Sequence, residues 1–141
     1  MNGPAVRSVV VSTDGGSRGN PGPAAIGAVV CDADDSDAPP LVEVSEAIGH
    51  GTNNEAEYEA IIAGLEAARA LGAVEVHLRS DSQLAINQLN GSYRVKKQEL
   101  RPLWRRARML LGEFETAKVE HVRREFNTEA DALVNAALDA G

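Results

Sequence analysis

Three apolar runs follow one another with only turn chemistry between them, and that spacing leaves this chain few folds to adopt. Residues 6–13 carry Val9, Val10 and Val11 in succession and read as a buried strand. Gly15-Gly16 and Asn20-Pro21-Gly22-Pro23 then supply turn residues before a second run, Ile26-Gly27-Ala28-Val29-Val30, within residues 24–31. The acidic stretch at 32–40, with Ala and Pro, reads as a hairpin loop, and residues 41–48 alternate as a third strand does. Strands joined by such short links pair antiparallel, because a parallel return needs a crossover of about a dozen residues.

The period then changes. Residues 54–71 repeat as a helix and stop at Gly72, where a left-handed C-cap is expected. Residues 74–79 set Val74, Val76 and Leu78 against Glu75, His77 and Arg79, which is a strand pattern. A short helix at 82–89 ends at Asn90-Gly91, and a longer one at 97–111 ends at Gly112. A fifth strand is expected at 116–122 and a closing helix at 127–140. The order βββαβααβα predicts an α/β class: a mixed five-stranded sheet, strands 1–3 antiparallel, strands 4 and 5 parallel, flanked by helices. With 141 residues, an apolar share of 43% and no repeat or dividing linker, the expectation is one domain over 1–141, its core at about 6–138.

Several classes fall away. No apolar run approaches the ~20 residues of a membrane span, so no membrane partner is expected. Residues 1–5 lack the charged start and apolar core of a secretion signal. Cys31 stands alone, which excludes an internal disulfide and any cysteine-based zinc site. A cytoplasmic protein is the default, and no protein partner is evident. Net charge is −7, but Arg94, Lys96, Lys97, Arg101, Arg105, Arg106 and Arg108 face only Glu99 within residues 94–108. That segment carries +6 and leaves −13 elsewhere. Such a stripe is either a solvated helix face or a track for phosphates.

Four carboxylates sit beside four structural signals: Asp14 after the first valine run, Glu57 just inside a helix, Asp81 at a strand end, Asp131 at the start of the last helix. Each has an ordinary reading. Asp14 can initiate a turn. Asp81 can cap the helix that follows it. Asp131 can close a capping box with Thr128. Glu57 is harder to dismiss. At ~100° per residue, Glu55, Glu59 and Glu66 form one stripe, whereas Glu57 points with Ile61, Gly64 and Ala68. A carboxylate on that apolar stripe is costly unless paired, although the helix dipole offsets some of the cost in a first turn.

Taken together, four such acids suggest one oxygen-lined cage for hard divalent cations. Two metals about 4 Å apart can cut a phosphodiester without a protein nucleophile. Two carboxylates at ~5 Å with an effective dielectric of about 20 repel by roughly 3 kcal/mol. Without metal, at least one carboxyl pKa is therefore expected to rise. Mg²⁺ or Mn²⁺ suits the set. His50, His77 and His121 are too scattered for zinc: His50 is expected on a loop, His77 exposed, and His121 nearest the acids.

The runs Thr13-Asp14-Gly15-Gly16-Ser17-Arg18-Gly19-Asn20-Pro21-Gly22, Thr52-Asn53-Asn54-Glu55-Ala56-Glu57-Tyr58, Ser80-Asp81-Ser82-Gln83 and Asn127-Thr128-Glu129-Ala130-Asp131-Ala132-Leu133-Val134-Asn135 closely resemble type 1 ribonuclease H. The resemblance covers about residues 6–138 and implies a ribonuclease H-like fold. It implies a metal-dependent endonuclease that cuts the RNA strand of RNA–DNA hybrids, leaving 5′-phosphate and 3′-hydroxyl ends. Asp14, Glu57, Asp81 and Asp131 would hold two Mg²⁺ ions, with Mn²⁺ able to substitute, Asp14 bridging both. Asn20, Asn53, Asn54 and Gln83 match residues that touch 2′-hydroxyls and base edges, a contact type that separates RNA from DNA. Backbone at Gly15 and Gly16 would lie against the RNA strand, and Thr52 matches a DNA-phosphate contact. Asn54 can also serve as a helix cap.

Two departures stand out. Many members carry a His in a Gly-rich loop before the last helix; residues 122–126 have neither, so Arg124, Glu125 or His121 is left for that role. The long basic insertion of some members is also missing, and Lys96, Lys97 and Arg101 form a smaller handle. Tyr93 can stack on a sugar, while Trp104 is expected in the core. Two other readings compete: a binding module without catalysis, and another nuclease of the same fold such as a resolvase or integrase-like enzyme.

Overall fold

A computed structural model describes residues 6–140; the reading of residues 1–5 lies outside them. The three apolar runs form an antiparallel meander of β1 (Ser8–Ser17), β2 (Gly22–Asp32) and β3 (Val42–Gly51). Helix α1 (Asn53–Ala70) leads to β4 (Glu75–Ser80), which pairs parallel with β1. Helices α2 (Gln83–Leu89) and α3 (Arg101–Leu111) follow, then β5 (Thr116–His121), parallel to β4, and α4 (Thr128–Ala140). The sheet order is β3-β2-β1-β4-β5, the mixed five-stranded arrangement expected from the pattern.

Both faces of the sheet are covered on the β1–β2 side. On one face, Val9, Val11, Val30 and Leu78 pack under Tyr58, Ile61 and Leu65 of α1, with Leu100, Ala107 and Leu110 behind them. Each fully buried Ile or Leu here contributes about 2 kcal/mol through burial. On the other face α4 lies across β2, where Ala25, Val134 and Ala137 form a smaller cluster. Gly27 makes that approach possible: a Cβ there would overlap the carbonyl of Ala130 and lie 3.0 Å from Leu133 Cβ.

The boundaries correct the expectations at instructive places. β1 runs on through Gly15 and Gly16, which pair with Ile26 and Ala25 rather than turning. Asp14 is therefore inside a strand, not at its end, and the turn-initiation reading fails. Helix α1 is capped by neither Asn53 nor Asn54. Thr52 accepts from Glu55 N at 3.1 Å while Glu55 Oε1 accepts from Thr52 N at 2.9 Å, a reciprocal box that satisfies two otherwise free donors. Ser82 caps α2 through Ala85 N, so Asp81 is not a cap. Thr128 lies inside α4 and cannot cap it with Asp131.

The helix expected at 97–111 is split into a 3₁₀ turn, Gln98–Leu100, and α3, with Pro102 in the first turn, where its missing N–H costs nothing. His50 belongs to β3 rather than a loop, although exposed. His77 is half-buried, its Nε2 2.8 Å from Glu120 Oε1. Gly72 does take the expected left-handed conformation, at φ 84°.

Replacing Gly27 by Ala tests the α4 docking. The expected loss is about 1–3 kcal/mol in urea unfolding, from overpacking against a helix backbone; an unchanged midpoint would mean that α4 stands farther from the sheet.

Candidate active site

The register of β1 and β4 brings the first two acids together. Thr13 is opposite Ser80 in that parallel pair, so the next residues, Asp14 and Asp81, emerge side by side. Glu57 arrives from α1, whose first turn lies against β1. Its Oε1 accepts a hydrogen bond from Gly15 N at 2.8 Å. Gly15 is required for this approach, because a Cβ would overlap the Ala56 carbonyl. The close neighbour that excludes a side chain there is thus α1 itself. A Cβ at Gly16 would meet nothing nearer than Asn53 Oδ1 at 3.8 Å.

Asp131 comes from the opposite face. Asp14 pairs with Gly27 in the β1–β2 register, and Gly27 receives α4 at Ala130, so Asp131 is delivered over Asp14. Asn127 ties the start of α4 to the middle of β1 through Nδ2 and Thr13 O at 2.9 Å, both buried. Asn135, one helical turn on, donates to Asp131 Oδ2 at 3.3 Å. Sequence reasoning passed over both amides, although both stand in the motif around Asp131.

One carboxylate oxygen from each of Asp14, Glu57 and Asp81 lies within 4.8 Å of the others. Asp131 lies outside this trio but near enough to the Asp14 carboxyl to raise its pKa. Burial, then the charge of Asp81, then contacts with Asp131 and Asp81, push the Asp14 pKa up to about 8. Burial and the charges of Asp14 and Asp81 push Glu57 well above its ordinary value, against the lowering pull of Gly15 N–H. Asp81 Oδ1 is buried without a hydrogen-bond partner. A shielded carboxylate oxygen with no donor, beside two acids reluctant to ionise, fits a hard divalent cation.

These acids line a cleft of about 330 Å³, together with Gly15, Gly16, Asn53, Arg124, and the unanticipated Ser17, Arg18 and Asn135. Arg124 places Nε 3.7 Å from Asp81 Oδ2, but it is 86% exposed, so the pair is weak. Of the other two auxiliary candidates, His121 is exposed at the end of β5 and does not line the cleft, and Glu125 pairs with Arg123 at 3.3 Å.

The expected substrate contacts divide. Asn53 and Asn20 are linked, Asn20 Oδ1 accepting from Asn53 N at 3.0 Å, while Asn53 Oδ1 accepts from Ser17 N at 2.8 Å. Each side chain keeps its Nδ2 as an outward donor. Thr52 is engaged as the cap, and Gln83 is exposed at the start of α2. Asn54, Lys96 and Lys97 line a second depression, of about 520 Å³, with Tyr93. Arg101 is outside both cavities and donates Nε to Val95 O at 3.2 Å. Trp104, expected in the core, is half-buried against its edge, with Nε1 bonded to Gln88 O at 3.1 Å.

A family described as reverse transcriptase-like matches residues 12–137. Ribonuclease HI of Halobacterium salinarum is 48% identical over 126 residues, 89% of this chain and 62% of that protein. Ribonuclease H of Moorella thermoacetica is 33% identical over 150 aligned positions, 96% of this chain and 94% of that protein. Among solved structures, the N-terminal ribonuclease H domain of a Mycobacterium tuberculosis protein superposes with a TM-score of 0.91 at 48% identity, covering 95% of each chain. The compost-derived LC11-RNase H1, solved with an RNA/DNA hybrid, gives 0.86 at 40% identity over 94% of this chain and 97% of that one. The chain spans 36% of the length of the full mycobacterial protein.

The raised Asp14 pKa carries a sign that can be measured. The folded state holds the proton up to about 8, against an ordinary 3.8. The resulting stabilisation is complete below the unfolded value and is lost as pH rises through 8. Asp14→Asn is therefore expected to raise the Tm of metal-free protein at pH 9 by roughly 3 °C or more, with a smaller gain at pH 4. Equal Tm values for the two proteins at pH 9 would contradict the buried repulsion.

Proposed function

The chain belongs to the type 1 ribonuclease H family, and on that footing we propose that it is a metal-dependent endoribonuclease that hydrolyses the RNA strand of RNA–DNA hybrids. The observation that carries this reading is the convergence of Asp14, Glu57 and Asp81, with Asp131 against Asp14, in one cleft. Asp14, Glu57, Asp81 and Asp131 would hold two Mg²⁺ ions, or Mn²⁺ in their place. When bound, the ions supply an activated water and charge neutralisation at the leaving 3′-oxygen, giving 5′-phosphate and 3′-hydroxyl ends.

The chain's own groups set the conditions for that chemistry. Gly15 N–H holds one oxygen of Glu57 and so orients its carboxylate. Asn135 does the same for Asp131. A cation at these acids removes the repulsion that otherwise keeps protons on Asp14 and Glu57, so loading releases protons. The cleft wall supplies the RNA preference. Asn53 and Asn20 have their carbonyl oxygens engaged internally, which leaves Nδ2 groups to donate to 2′-hydroxyl oxygens. Asn54 lines the neighbouring depression, Gln83 opens α2 two residues after Asp81, and Gly15 and Gly16 line the cleft. Lys96 and Lys97, which line the second depression, would meet phosphates of the second strand, and Arg124, on the short loop before α4, lies 3.7 Å from Asp81.

A labelled hybrid, duplex DNA and duplex RNA, each incubated with Mg²⁺ and then Mn²⁺, provide the test. Cleavage of the hybrid's RNA strand with 5′-phosphate ends is expected. Asp14→Asn and Asp81→Asn should each lose about a thousandfold in rate, ~4 kcal/mol of transition-state stabilisation. Hybrid binding without metal-dependent turnover, or retained cleavage by either folded variant, would overturn the proposal.

A further inference from the structure

Residues 92–97 have no regular secondary structure, and apart from Val95 their side chains are exposed. Yet three successive residues are tied down by their backbone. Tyr93 N–H donates to Asn87 O at 3.0 Å. Arg94 O accepts from Gln88 Nε2 at 3.3 Å. Val95 O accepts from Arg101 Nε at 3.2 Å. An exposed segment held in this way presents its side chains from a set backbone rather than a mobile one.

The middle tether comes from inside the protein. Gln88, on α2, is 3% exposed and lies among Ala85, Ile86 and Leu89 at the core edge. Its Oε1 accepts from Tyr58 OH at 2.5 Å, and Tyr58 is fully buried one residue after Glu57 on α1. A buried amide is less favourable than a leucine of similar size unless its polar atoms are matched. Here they are matched at both ends: at one by the helix that carries Glu57, at the other by the backbone of the basic segment. The neighbouring carbonyls add struts, Gln88 O to Trp104 Nε1 and Leu89 O to Arg108 at 2.8 Å.

We propose that Gln88 is a positioning residue for nucleic-acid binding. It links α1 to residues 92–97 and so presets Lys96 and Lys97 as a grip on the phosphates of the strand that is not cut. This rests on the hybrid-cleaving function proposed above. Asn53 lines the carboxylate cleft and Asn54 lines the depression beside Lys96 and Lys97, so the first turn of α1 forms a ridge between two concavities. A duplex with one backbone in the cleft lays its other backbone across that ridge. A grip already ordered loses less conformational freedom on binding, which is how a few lysines can serve on a chain of net charge −7.

The experiment compares wild type, Gln88→Leu, Tyr58→Phe and Lys96→Gln/Lys97→Gln by steady-state cleavage of a hybrid at 25 °C. The same hybrid is used for binding over a salt series. Gln88→Leu and Tyr58→Phe are expected to raise KM and Kd about fivefold while kcat stays within about twofold. The slope of log affinity against log salt should fall in magnitude by about one. The lysine substitutions should cost less in the Gln88→Leu background than in wild type, because the grip is already lost.

A purely structural role would lower Tm and leave KM, salt slope and additivity untouched, and that result overturns the proposal. If Gln88→Leu does not fold, Tyr58→Phe, which removes one hydroxyl, decides alone by the same readings. Wild-type cleavage of the hybrid with unaltered KM in the variants defeats this inference only. A wild type that cleaves no hybrid defeats the function on which it rests, and this inference with it.

Discussion

Like charge held in a confined space is the constraint around which this molecule is arranged. Asp14 is buried, Glu57 and Asp81 are close beside it, and Asp131, from α4, is near enough to raise its pKa further. Left to themselves these groups repel, and burial removes the water that would screen them. The surrounding elements hold them there nonetheless. The parallel register of β1 and β4 sets Asp14 beside Asp81. Gly15 admits α1 with Glu57, and Gly27 and Asn127 bring α4 down with Asp131. Each acid thus comes from a different element, and each element approaches β1 or its neighbour at backbone distance, with the Asn127 side chain adding a tie for α4.

That arrangement stores a demand for positive charge. Arg124 meets little of it, being exposed and 3.7 Å from Asp81. In the metal-free protein the demand shows as raised proton affinity at Asp14 and Glu57, caused by burial and by their acidic neighbours. A divalent cation answers it with more charge per volume and no hydrogen-bond geometry to satisfy, which suits the unpartnered Asp81 Oδ1. The groups proposed to contact substrate stand on separate supports. The amides of Asn20 and Asn53 are tied to each other and to Ser17 at one wall. The lysines stand on a segment tied to α2 and α3.

Much of this was legible in the residues. Valine runs and turn spacing gave the meander, and the later change of period gave two crossovers and hence the parallel strands. Glu57 stood out because it falls on the apolar stripe with Ile61, Gly64 and Ala68, all buried as expected. What escaped was set by partners far away in sequence. Gly15-Gly16 has the composition of a turn, yet it continues β1 because Ala25 and Ile26 supply its ladder. Asn53 and Asn54 have the chemistry of caps, but Thr52 pairs with Glu55 and takes that place. Gln88 gave no local sign, and Asn127 only its place in the motif around Asp131: an amide reveals its use when both ends of its hydrogen-bond network are in view.

The most direct test of the account is a carboxyl titration followed by carbon NMR, on metal-free protein and again with Mg²⁺ present. Asp14 is expected to hold its proton up to about pH 8 without metal, with Glu57 also late, and both are expected to titrate far lower once Mg²⁺ is bound. Two carboxyls titrating at ordinary acidic values, unmoved by Mg²⁺, would contradict it.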